Sequence, residues 1–151
     1  MNATISKAAR IATALLLFAA GTTRAADAAG PPPGIWEAHQ GEALVAFEFQ
    51  PTGSVRMMLL MDDQMRAALP NLPADKRANI EKMKATVHGQ DWIVVPGTWT
   101  PVAAGRVHVH IDRAGSAPLD SDFTFRLDGK DALVGKFAMD PDPVTYQRLA
   151  P

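Results

Sequence analysis

Residues 106–112 read RVHVHID, with Val107, Val109 and Ile111 at alternate positions and Arg106, His108, His110 and Asp112 between them. A two-residue period puts successive side chains on opposite faces of an extended chain, whereas a helix needs a period of 3.6. The pattern recurs. Residues 43–49 set Ala43, Val45, Phe47 and Phe49 against Leu44, Ala46 and Glu48, and residues 55–61 set Val55, Met57, Leu59 and Met61 on one side. Residues 122–128 set Phe123, Phe125 and Leu127 against Thr124 and Arg126. Pro51, Thr52, Gly53 and Ser54 separate the first two runs and predict a hairpin, because Pro presets one φ and Gly tolerates a positive one. Asp128 and Gly129 join the fourth run to residues 132–137, a strong hairpin signal. With residues 97–101 and 144–149 the count is about seven to nine short strands, which predicts an antiparallel up-and-down barrel or a strongly curved sheet.

One stretch breaks the period. Residues 62–87 show helical spacing: Asp62 or Asp63 caps a short turn, Pro73 suits the first turn of a second helix, and Ile80, Met83 and Val87 share a stripe. Arg77 and Glu81 are expected to pair at i,i+4. This predicts a helical insertion between strands, covering an end or an edge of the sheet.

The N-terminus has a different logic. Lys7 and Arg10 precede the apolar run IATALLLFAA, residues 11–20, and small residues follow at two alternative cleavage positions, after Ala25 and after Ala28. Charge, a short apolar core and a small-residue exit are the marks of a secretory signal peptide, and ten residues are half of what spans a bilayer. The expected organisation is a signal peptide over 1–25, a flexible Pro-rich leader over 26–33 and one β domain over 34–151. Export to the periplasm or outside the cell follows, with no stable membrane insertion after cleavage.

Without Lys7, Arg10 and Arg24, a chain of 15 basic and 16 acidic residues becomes mildly acidic, with a net charge of about −4. That excludes the broad basic surface needed for nucleic acid. The absence of cysteine excludes disulfides, thiol nucleophiles and Cys-based metal sites.

Gly34, Ile35 and Trp36 open the first ordered strand, Gly97, Thr98 and Trp99 begin another, and FEFQPTG (47–53) and FRLDGKDAL (125–133) form an early and a late hairpin. In these features the chain resembles small bacterial lipocalin-like domains, which carry a G-x-W near the start and a G-T-W midway. The resemblance implies a short up-and-down barrel with a ligand-holding interior. It also implies that Trp36 plugs the base and that Arg148 or Arg126 packs across it. A helical segment in the middle, and no helix after the last strand, depart from that pattern.

Three sets of residues bear on chemistry. His108 and His110 project from one strand face roughly 7 Å apart, close enough to share a metal if His88 or Asp112 joins them, although two solvent-facing imidazoles opposite a valine face need no metal. Met57, Met58, Met61 and Met65 cluster within nine positions; Met57 and Met61 alternate with Val55 and Leu59 as core or pocket filler, and thioethers also suit Cu(I). Ser54, Ser116 and Ser121 lie in turns, no G-x-S-x-G or H-E-x-x-H is present, and no catalytic constellation is complete.

The leading expectation is an exported, non-enzymatic protein that binds a small apolar or amphipathic molecule inside the barrel, through Phe47, Phe49, Met57, Leu59, Phe123 and Phe125, without a cofactor. Two alternatives stand beside it: periplasmic copper or zinc binding through His108 and His110 with His88, and a structural or protein-interaction module of the envelope whose partner is unknown.

Overall fold

The computed structural model describes residues 30–113 and 116–150, so the signal-type segment over 1–25 and the leader residues 26–29 lie outside the described residues. The elements are β1 (Gly34–Gln40), β2 (Ala43–Phe49), β3 (Ser54–Leu60), α1 (Asp63–Ala68), a 3-10 turn (Leu69–Asn71), α2 (Ala74–Met83), β4 (Lys84–Val87), β5 (Gln90–Ala103), β6 (Arg106–Ile111), β7 (Leu119–Leu127), β8 (Ala132–Phe137) and β9 (Val144–Arg148).

Each strand pairs antiparallel with its neighbours, β3 pairs with β5 across the helical insertion, and β1 pairs with β9. The ring β1-β2-β3-β5-β6-β7-β8-β9 is therefore a closed eight-stranded up-and-down barrel, with β4 added beside the start of β5. Closure removes sheet edges that would otherwise recruit other strands.

Alternation decides what is inside. Trp36, Phe49, Val55, Val107, Val109, Ile111, Phe123, Leu133 and Tyr146 are all at most 1 % exposed and belong to one core. Phe123 sits at its centre, with ring centroids 4.8 Å from Phe137, 5.8 Å from Phe49 and 6.1 Å from Tyr146. Gly135 is where that ring crosses the wall, since a Cβ there would run into the Phe123 ring. A second, smaller apolar cluster lies on the outer face, where Trp92 covers Ala46 and Met58, with Ile35, Leu44, Leu60 and Val94 around them.

The helical insertion is shorter than the sequence suggests. Asp62 caps α1 by accepting from the Met65 N–H at 2.7 Å, but α2 stops at Met83 and Lys84–Val87 leaves the helix to pair with Gln90–Ile93. Thr86 and Val87 are β-branched, and pairing with β5 gives their backbone groups partners that a lone helical turn would not. Glu81 pairs with Lys84 at 3.3 Å rather than with Arg77. The strand expected over 97–101 runs from Gln90 to Ala103, because Trp92–Val95 extends it backwards as an apolar run.

The base of the barrel is shut. Trp36, fully buried, donates its indole N–H to the Pro32 carbonyl at 2.8 Å. Arg148 lies opposite Trp36 in the β1–β9 ladder and places its guanidinium carbon 4.3 Å from the centre of the indole ring, while donating to the Pro33 carbonyl at 2.9 Å. Arg126, the other sequence candidate for this position, is exposed on β7 opposite Val134. The leader expected to be mobile over 26–33 is, from Gly30 to Pro33, part of this base: Pro31 is buried and Gly30 lies so close to the Trp99 ring that no Cβ fits. Proline presets an extended φ, so the strap loses little entropy on docking.

Arg148 therefore ties both chain ends together. Arg148→Met is expected to lower stability by about 1–3 kcal/mol, the sum of a cation–π contact and a charged hydrogen bond, whereas Arg126→Met stays within about 0.5 kcal/mol. Urea denaturation of both variants checks this. Equal midpoints would show that the stack does not hold the base.

Candidate functional site: the mouth of the barrel

The opposite end is open. It is framed by the β1–β2 turn, the helical insertion after β3, the β6–β7 loop and the β8–β9 loop. Inside the frame lies a cavity of about 220 Å³ lined by Gln40, Val45, Phe47, Met57, Leu59, Arg113, Leu119, Phe137, Met139 and Asp140. Its walls are apolar because these positions continue the inward faces of β1, β2, β3, β7 and β8, and its rim is polar because the strands end there.

The site residues expected from sequence divide in three. Phe47, Met57 and Leu59 line the cavity. Phe49 and Phe123 are 1 % exposed and fill the core beneath it, stacked on one another. Phe125 stands nearer the base, opposite Gly135, and borders a more open cleft of about 400 Å³ along β7 and β8 with Thr124, Arg126, Val134, Lys136 and Pro143. That cleft is larger and also mostly apolar, but it is wider open to solvent; the mouth is narrower and more enclosed, and a buried polar group points toward it.

That group is the Tyr146 hydroxyl. Tyr146 projects inward from β9, is 1 % exposed, and its oxygen has no hydrogen-bond partner; among the described residues only the Trp92 indole N–H, on the outer face, shares that condition. The ring packs edge-on against Phe47 and Phe123, at 6.1 Å from each. Burial pushes the phenol up to about 12, the carboxylate of Asp140 adds to the rise, and the Gln40 carboxamide, which approaches the oxygen without closing a well-formed hydrogen bond, opposes it. Gln40 and Asp140 both line the cavity, so the hydroxyl points toward the mouth end, although Tyr146 itself is not part of the cavity lining. Sequence reasoning passed over this residue; the signal was the chain's single tyrosine in the alternating run Val144–Arg148.

Helix α2 flanks the mouth loosely. None of its residues is buried, Met83 touches the core from its last turn, and a second hollow of about 300 Å³ separates Leu72, Asp75, Asn79 and Ile80 from Ser116 of the β6–β7 loop. Few buried contacts make an element of low local stability.

The histidine pair occupies the outer wall. His108 and His110 face away from Val107, Val109 and Ile111, and the strand pairing sets Asp122 and Asp120 opposite them. His108 donates from Nδ1 to Asp122 Oδ1 at 2.9 Å and from Nε2 to Asp120 Oδ1 at 2.8 Å; His110 Nδ1 is 3.3 Å from the same Asp120 oxygen. Carboxylate oxygens only accept, so an imidazole meeting one through each nitrogen satisfies both only when it carries both protons. The hydrogen bonds it donates to Asp122 and Asp120 raise His108, and those accepted from His108 and His110 lower Asp120. Both His108 nitrogens are thus occupied. Neither His88, in the turn after β4, nor Asp112 supplies the partner, and among the described residues no group of three or more His, Asp or Glu stands at metal-holding geometry. Met57 faces in, Met58 faces out and Met65 is on α1, so the thioethers do not converge.

Linkage fixes the sign. His108, raised above 6.5, stabilises the fold at lower pH and loses that contribution as pH rises through its folded value; Asp120, lowered from 3.8, loses its contribution as pH falls through its own. The β6–β7 pair is therefore worth most between those two values. The urea midpoint is expected to fall from pH 5.5 to pH 8.5 by a small, salt-sensitive amount that His108→Gln abolishes, since the groups are exposed and screened.

The chain matches no protein-family model, no curated protein and no solved structure.

Proposed function

We propose that this is an exported, non-enzymatic, lipocalin-like protein that holds a small amphipathic molecule in the mouth of its barrel. One observation carries the reading: above a packed aromatic core and a shut base lies a cavity with mostly apolar walls, open to solvent at one end. Concave sites with apolar walls and a few convergent polar groups are the usual form of small-molecule pockets. The closed base supports the same reading, because Trp36 and Arg148 leave the mouth as the way in. Export follows from the N-terminal charge and apolar pattern.

The expected result is that protein purified from its native compartment begins at residue 26 or 29 and shows, by native mass spectrometry, a non-covalent adduct. Leu59→Arg, which places a charge among Val45, Phe47 and Met57, abolishes the adduct while preserving the β-type circular dichroism. Bare wild-type protein, with nothing extractable by organic solvent, would count against ligand binding and leave a role as an envelope interaction module.

A further inference from the structure

We propose that the wall cleft along β7 and β8 is a second binding site, for a small amphipathic anion whose charged group sits between Arg126 and Lys136. It is separate from the mouth and stands or falls without it.

Strand register builds the positive end. Phe123 and Phe137 pair across β7 and β8 and are both buried, so the alternate residues Thr124, Arg126, Val134 and Lys136 stand on the outer wall. Thr124 pairs with Lys136 and Arg126 with Val134, which makes the two cations diagonal neighbours with backbones about 7–8 Å apart. Both side chains are long enough for one anionic group to meet the two of them. Lys136 donates to the Pro141 carbonyl at 2.8 Å, which holds its ammonium beside the β8–β9 loop and leaves two N–H groups to donate. Thr124, exposed, adds a hydroxyl.

These cations have no acid of their own. Along the same wall Asp120 and Asp122 engage His108, His110 and Arg106. Among the described residues neither Arg126 nor Lys136 forms an ion pair, and no carboxylate lines the cleft. Two neighbouring cations repel each other, and an anion between them relieves that repulsion. The guanidinium fork of Arg126 suits a carboxylate or sulfonate.

The rest of the lining sets the body of the ligand. Phe125, Val134 and Pro143 supply apolar surface, and about 400 Å³ lies within the roughly 300–1,000 Å³ of small-molecule pockets. An inorganic ion would leave that surface wet, and a neutral apolar molecule would leave the cations unpaired. A dissolved molecule, rather than a lipid headgroup in a bilayer, is the occupant. Exposed Asp128 and Asp142 flank the cleft in sequence, in a domain of net charge about −4, and would be repelled by an anionic membrane.

Naphthalene-2-sulfonate and its neutral analogue naphthalene-2-sulfonamide, titrated calorimetrically into the wild type, Arg126→Gln and Leu59→Arg, test the assignment. The sulfonate is expected to bind the wild type about tenfold more tightly than the sulfonamide, with an affinity that falls as salt rises. Arg126→Gln should weaken the sulfonate about five- to tenfold and leave the sulfonamide unchanged. Its thermal midpoint should match the wild type, because Arg126 is exposed. Leu59→Arg, which blocks the mouth, should bind the sulfonate as the wild type does. Equal sulfonate affinity in Arg126→Gln, with loss in Leu59→Arg, would put the anion in the mouth and overturn the wall site. Equal affinity for the two probes would overturn the charge selection. No heat from the sulfonate at about 1 mM would overturn the site outright and leave the mouth untouched. Binding to phosphatidylglycerol vesicles but not to the free sulfonate would overturn it in favour of a membrane.

Discussion

The barrel depends on a short seam. Eight strands close only because β1, from the start of the domain, meets β9, from its end, and that ladder has two registered pairs, Trp36 with Arg148 and Glu37 with Gln147. The neighbouring β1–β2 ladder has seven. Backbone hydrogen bonds alone would make the seam the first place to open. Side chains reinforce it: Trp36 reaches Pro32, Arg148 covers Trp36 and reaches Pro33, and the Leu149 N–H donates to Ile35. One indole and one guanidinium join the Pro-rich strap, the first strand and the last. The aromatic core stays dry because this join holds.

A closed base gives the molecule a polarity. Packing is dense from Trp36 up through Phe49, Phe123 and Ile111 and loosens only where Val45, Leu59 and Leu119 reach the rim. The opening is therefore shallow. Loops and a weakly held helix frame it, the usual division between a rigid scaffold and a variable binding edge. Tyr146 belongs to the packed core, with its hydroxyl pointing toward the mouth end. Its oxygen is a local departure from full satisfaction of polar groups.

Much of this was legible in the chain. The alternation of Val107, Val109 and Ile111 with His108 and His110 placed the imidazoles outside, and Asp128 with Gly129 placed a hairpin, because both signals are local consequences of backbone geometry. The end of α2 was not legible: residues 84–87 continue a helical stripe, and only β5 alongside them makes a strand the better outcome. Nor was the division of the phenylalanines. Phe47, Phe49, Phe123 and Phe125 share one inward face, yet strand stagger puts Phe47 at the mouth, Phe49 and Phe123 in the packed middle and Phe125 toward the base.

By itself the sequence determined the strand period and the inward faces of β2, β3, β6 and β7, since each depends on neighbours within a few residues, and the acidic, cysteine-free character of the domain. Tertiary structure alone decided that β3 would pair with β5 across thirty residues, that Arg148 rather than Arg126 would cover Trp36, and that Asp120 and Asp122 would stand opposite His108. It alone left the Tyr146 hydroxyl without a partner. Register and closure are properties of the whole ring: a partner across the barrel is chosen by how eight strands stagger together, and no single segment carries that information.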